Sequence, residues 1–128
     1  MSSSLSLLSS STKISRQLCE IARQMEPVAR CRVVSALVRR KKILALGVNS
    51  YDSIKLARRF PKHELALSTH AEIAAIHNYL KVYGADRISE CTLYVVRLLA
   101  NGQLASAKPC RGCEEAIKAF NIKRVIHS

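Results

Sequence analysis

The pair Cys110 and Cys113, in the segment PCRGC at residues 109–113, is the tightest constraint this chain places on its own fold. Two cysteines three positions apart share one side of the chain only where the backbone turns, and the first turn of a helix supplies that turn. The unpaired N–H groups of such a turn lower thiol pKa, so both sulfurs can be thiolates. The spacing suits tetrahedral Zn2+, a thioredoxin-type redox pair or two structural thiols, and the two residues alone leave all three open.

Three further cysteines, Cys19, Cys31 and Cys91, make the count odd. With no convincing secretory signal, that favours a reducing compartment, cytoplasmic or otherwise intracellular, with thiols buried or metal-bound rather than paired. The opening MSSSLSLLSSST is Ser-rich and free of acids, but no positive stretch precedes LSLL. Residues 1–12 therefore read as a flexible tail and 13–128 as a single domain. A chain of 128 residues can bury one core but not two. No apolar run approaches the roughly 18 residues of a membrane span, so no membrane-embedded role is expected.

Around the cysteine pair, hydrophobic periodicity lays out the elements. Ile14, Leu18, Ile21, Ala22 and Met25 recur at helical spacing before Pro27, which predicts a helix over about 13 to 25. CRVVSALV and KILALGVN, separated by RRKK, predict a hairpin whose turn type stays open because Asn-Gly is absent. Residues 50–68 lose the period and read as a long functional loop, with room for one short helix in SIKLARR. THAEIAAIHNYLKVYG returns to helical spacing, with Ser68 or Thr69 as N-cap and Gly84 as the stop. CTLYVVRLL is a third strand and ANGQ a turn; PCRGCEEAIKAF is a helix with Pro109 in its first turn, and KRVIHS is a fourth strand. The order α, β, β, α, β, α, β predicts one α/β domain built on a mixed sheet with helices on its faces.

His70 and Glu72 open the helix that precedes the third strand. That helix and the cysteine helix each follow strands in an order that aims their N-termini at one edge of the sheet. A third ligand from His70 would complete His-Cys-Cys and leave the fourth tetrahedral position open, as a catalytic Zn2+ site requires. Glu72, two residues on, could serve that position without being a ligand. His70 on its own would read as a capping or core histidine; the cysteine pair reverses that.

HAE and PCRGC, 37 positions apart from Glu72 to Pro109, resemble the zinc-dependent cytidine and deoxycytidylate deaminase superfamily over nearly the whole chain. The resemblance implies a cytidine deaminase-like three-layer α/β/α fold with a mixed central sheet of about four strands. It implies Zn2+ held by His70, Cys110 and Cys113, and Glu72 as general acid/base. Asn49, at the end of LGVNS, matches the family's sugar- or base-contacting Asn, against a plain turn Asn. Ser106 matches the Ser or Thr three positions before Pro-Cys, and backbone N–H groups near Ala71 and Cys110 would hold the ring. The implied reaction is hydrolytic attack at C4 of a cytosine or C6 of an adenine, with release of ammonia.

The chain carries 21 Lys and Arg against 9 Asp and Glu, a formal charge of +12. That suits nucleic acid, nucleotides or an acidic surface, or equally a merely well-solvated basic surface, while the absence of Trp argues against a base-stacking, strand-coating protein. Arg39, Arg40, Lys41 and Lys42 fall about 20 Å from Asn49 along a strand, too far to reach a mononucleotide under attack. They either blunt the hairpin against edge pairing, the favoured reading, or contact distant polynucleotide backbone. Lys55, Arg58, Arg59, Lys62 and His63, in the loop leading to His70, are the candidates for a substrate phosphate, and Lys108 and Arg111 flank the cysteine motif.

The leading expectation is a zinc-dependent hydrolase of a free cytosine nucleotide such as deoxycytidylate. The alternatives are a base deaminase acting on tRNA or single-stranded DNA and, in a different class, an inactive zinc-stabilised nucleic-acid-binding module. The family usually continues into a fifth strand and a further helix beyond the position where this sequence stops. The resemblance therefore implies a minimal member, a truncated sequence, or a homo-oligomer in which a neighbour completes the site.

Overall fold

Ser11–Arg23 forms α1, which lays Ile14, Leu18 and Ala22 on one face of a sheet. The computed structural model describes residues 11–26, 31–50, 55–59 and 69–128. α1 begins inside the stretch expected to be a tail, so that boundary moves, while residues 1–10 lie outside the described residues. It ends two residues early because Gln24 and Met25 bond back to Ile21 and Ala22 in a tighter, three-residue turn.

The two apolar runs form the expected hairpin, β1 (Cys31–Arg39) and β2 (Lys42–Val48), paired antiparallel with Arg39 opposite Lys42. Arg40 and Lys41 are the whole loop, and both adopt positive φ, 54° and 63°. The turn is thus of the kind in which both central residues are left-handed and which matches strand twist, reached without the usual Asn-Gly. Within the region read as a loop, α2 (Lys55–Arg58) is the short helix of SIKLARR.

α3 (Ala71–Tyr83) follows, closed by Gly84 at φ 63° with its N–H on the Leu80 carbonyl. Its N-cap is His70, not Ser68 or Thr69. Thr69 is held extended by a two-way backbone bridge to Ser50, and that starts the helix one residue later; Ser68 lies outside the described residues. A 3-10 turn, Ile88–Glu90, leads into β3 (Thr92–Leu99). The two-residue strand β4 (Leu104–Ala105) pairs antiparallel with β3 beyond the ANGQ turn. α4 (Arg111–Ala119) has Cys110 as N-cap, so Pro109 stands just ahead of the helix rather than in its first turn. β5 (Arg124–His127) runs parallel to β3.

The sheet order is β2-β1-β3, with β4 and β5 sharing the far edge of β3. It is the mixed sheet expected, with β4 as a short addition to the four anticipated strands. Alternation along β1 divides two cores: Val34, Ala36 and Val38 pack under α1, whereas Val33 and Leu37 face α3 and α4. The layers are therefore α1, the sheet, then α3 with α4. No described helix is long and apolar enough to cross a membrane.

Candidate active site

Two contacts set the N-terminus of α3 on the sheet. A Cβ at Gly47 would stand 2.2 Å from the Ala75 nitrogen and 2.3 Å from the Ala71 oxygen, so only glycine lets the helix rest on β2 there. From β1, the buried Ser35 hydroxyl donates to the Ala71 carbonyl oxygen at 2.7 Å. The Ser50–Thr69 bridge then sets position 49 across from position 70.

α4 starts at the same edge. The Cys110 and Cys113 sulfurs lie 3.4 and 3.5 Å from His70 Nδ1, and the three donor atoms all fall within 4.8 Å of one another. Tetrahedral Zn2+ with ordinary Zn–S and Zn–N lengths sets S and N about 3.5 Å apart, so the donor set fits that ion. None of the five cysteines is joined in a disulfide.

Glu72 is 6% exposed. Burial pushes its carboxyl above the ordinary carboxylate range, with its own backbone N–H and His70 working the other way; the Cys113 thiol hydrogen-bonds to it. Cys113, fully buried, is pushed far up by its hydrogen bond to Cys110 and then by burial and the Glu72 carboxyl. Two thiolates beside a carboxyl in a buried hollow need a cation among them, and the donor chemistry supplies a place for one.

Asn49 carries a structural load. Its Oδ1 accepts from the Val33 N–H at 2.9 Å and its Nδ2 donates to the Cys31 carbonyl at 3.3 Å, extending the sheet by one side chain. Ala71 is buried, and as the first helical residue its N–H has no intrahelical acceptor. Ser106 is exposed and its carbonyl accepts from Arg97 Nη1 at 3.4 Å.

The basic candidates scatter. Arg111 is exposed on the first turn of α4, next to Cys110. Lys108 is exposed and lines a separate hollow of about 370 Å³ beside β5. Arg59 stacks its guanidinium over the Phe120 ring, 5.9 Å from the centroid, at the opposite end of α4 and about 15 Å along the helix from Cys110. Lys55 is exposed on α2; Arg58 is described only in its backbone, and Lys62 and His63 lie outside the described residues.

Arg97 is the residue the sequence reading missed. β3 pairs it with Val33, the residue Asn49 holds, and alternation sets it on the face of Leu93 and Val95, beneath α3 and α4. It sits one pleat beyond Val95, whose partner Ser35 anchors Ala71. Its Nε is buried with no hydrogen-bond partner among the described residues. The signal was a lone arginine inside the apolar run CTLYVVRLL.

Comparison with known proteins follows from this geometry. The family profile described as "Cytidine and deoxycytidylate deaminase zinc-binding region" matches residues 8–128. No curated protein sequence matches closely enough to count as a relative. Among solved structures, dCMP deaminase from the cyanophage S-TIM5 is 21% identical, with 90% of this chain and 82% of that chain covered and a TM-score of 0.61. Cytidine deaminase from Mycobacterium tuberculosis is 15% identical over 87% of this chain and 77% of that one, TM-score 0.52. The Mycobacterium leprae enzyme is 18% identical over 87% and 83%, TM-score 0.51. At such identities the likeness establishes the shared fold.

Proposed function

The chain belongs to the cytidine and deoxycytidylate deaminase family of zinc-dependent hydrolases, and from that premise we propose that it deaminates a phosphorylated cytosine nucleotide, of the deoxycytidylate type, to the corresponding uracil nucleotide. The observation that carries this reading is the convergence of His70 Nδ1 with the two sulfurs at 3.4 and 3.5 Å beside the buried Glu72.

His70, Cys110 and Cys113 would hold Zn2+. When bound, the ion supplies the Lewis acidity that brings a water's pKa near neutrality. Glu72 carries one proton of the attacking water to the ring nitrogen, then carries the second, from the hydroxyl now on C4, to the departing amino group. The oxygen becomes the C4 carbonyl and ammonia leaves, so atoms and protons balance. Burial raises the Glu72 carboxyl above the ordinary carboxylate range, which makes it a better proton acceptor than an exposed carboxylate. The Ala71 N–H, which has no acceptor within α3, would donate to the ring, and Asn49 would shape the pocket by holding the start of β1. Arg97 supports a phosphorylated substrate over a neutral nucleoside, because a half-buried guanidinium with an unpartnered Nε, on the sheet face beneath α3 and α4, is matched by phosphate oxygens.

The test is a deamination screen over dCMP, cytidine, dCTP, adenosine species and short oligonucleotides, with Glu72→Gln as control. We expect ammonia release from dCMP above the others and a Glu72→Gln variant that holds zinc but is inactive. A wild-type protein with stoichiometric zinc that deaminates none of them would sink the enzyme reading. Turnover of oligonucleotides alone would move the substrate to tRNA or single-stranded DNA.

A further inference from the structure

At the end of the sheet away from the metal cluster, α1, the β1–β2 hairpin and the start of β5 enclose a groove of about 1000 Å³. Lys13 and Arg16 line it from α1, Arg40 and Lys41 from the hairpin turn and Arg124 from β5, against one acid, Glu90. All five cations are exposed. Among the described residues the ion pairs are Arg23–Glu20 and Arg87–Glu90, so none of the five is within ion-pair distance of a carboxylate; Glu90 is held at 3.0 Å by Arg87 and feels Arg40 only at longer range. Arg39 also borders the groove, but its guanidinium is tethered to the Tyr79 hydroxyl at 2.9 Å. We propose that this groove is a second binding site, which holds the phosphodiester backbone of a nucleic-acid strand independently of its sequence.

Two observations carry this beyond the net charge. One is the turn: Arg40 and Lys41 both have positive φ, a conformation that favours Asn and Gly and costs a long L-side chain about 1 kcal/mol or more. The hairpin register imposes this conformation, and the sequence meets it with two long cations that line the groove rather than with Asn-Gly. The other is convergence. Protecting the open edge of β2 against pairing would need charges on the hairpin alone, yet α1 and β5 bring three more cations to the same concavity.

The lining also selects among polyanions. None of the large exposed apolar side chains, Leu46, Val48, Val82, Tyr83 and Leu104, borders the groove, so it lacks the apolar face that inserts into a lipid surface. Its one aromatic, Tyr94, is 8% exposed and presents no ring for a base to stack on. What remains is a row of exposed cations with no carboxylate within ion-pair distance, the chemistry of phosphate-backbone contact. β2 spans about 20 Å between the hairpin and Asn49, so the groove can hold a strand whose bases do not enter the metal site.

The experiment is titration of full-length, zinc-loaded protein into a fluorescein-labelled oligodeoxythymidylate, read by anisotropy across a salt series. The variant Arg40→Asn/Lys41→Gly removes two charges while giving the turn the residues it prefers. Its melting midpoint should equal or exceed wild type, its affinity should fall roughly tenfold to fiftyfold at about 0.1 M salt, and its log Kd against log salt slope should drop by about 1.4. Lys13→Gln/Arg16→Gln should fall similarly, whereas Lys118→Gln/Lys123→Gln, which removes the same charge from α4 and the segment after it, should bind as wild type. Equal losses in all three variants would reduce the effect to net charge and overturn the site. Unchanged affinity in both groove variants, absence of oligonucleotide binding by wild type, or equally tight binding of phosphatidylserine vesicles would also overturn it.

Discussion

The Ser35 hydroxyl donates to the Ala71 carbonyl oxygen at 2.7 Å, from the middle of β1 to the residue between His70 and Glu72. A side chain on the sheet thereby sets the height and tilt of the helix end that carries both functional groups. Ser35→Ala should cost about 1 kcal/mol in denaturant unfolding and weaken zinc retention against a competing chelator. A variant that loses stability but keeps wild-type zinc affinity would leave Ser35 as packing only.

Gly47→Ala should be the most damaging conservative change near the site. The added Cβ would meet backbone atoms of α3 at 2.2 and 2.3 Å, and backbone cannot rotate aside as a side chain can. The expected loss is about 3 kcal/mol or more, visible as a calorimetric midpoint several degrees lower. An unchanged midpoint would mean that α3 does not rest on β2 as described.

Zinc should bind one ion per chain and contribute to folding. Metal analysis of freshly purified protein should find it in wild type and Glu72→Gln but not in Cys113→Ser, because the buried thiolate cannot be replaced by a hydroxyl that stays protonated. Stripping with a chelator should lower the thermal midpoint, and added Zn2+ should restore it. Zinc retained at full stoichiometry by Cys113→Ser would show that the ion is held elsewhere.

Arg97→Ala should separate phosphate recognition from chemistry. With dCMP we expect KM to rise roughly tenfold or more at nearly unchanged kcat, since one charged hydrogen-bonded contact is worth about 1.5–3 kcal/mol. Cytidine, with no phosphate, should be turned over as by wild type. Arg97→Lys should recover only part of the loss, because an ammonium lacks the planar fork. Equal damage with both substrates would make Arg97 a structural residue.

Much of the site was legible because its determinants are local. A helix N-terminus presents residues of its first turn together, so Cys110-x-x-Cys113 and His70-x-Glu72 could be read as donor and acid/base sets before any fold was known. Helix α1, the hairpin and the stop at Gly84 followed from periodicity and turn chemistry for the same reason. What failed was also local in cause: Thr69 looks like a cap until Ser50 claims its backbone. The turn type, open in the sequence, was decided by the register that makes Arg40 and Lys41 both left-handed.

Sequence alone determined which chemical groups this protein has and which of them share a turn of backbone, because those depend on contacts within a few residues. Tertiary structure alone decided that His70 meets Cys110 across 40 positions, that Asn49 binds the start of β1, that Arg97 lies on the face of β3 covered by α3 and α4 and that Arg59 lies at the far end of α4. Each of these is set by strand pairing and by which face of the sheet a helix covers. Sheet register joins residues far apart in the chain, and no pattern within a single segment records its partner.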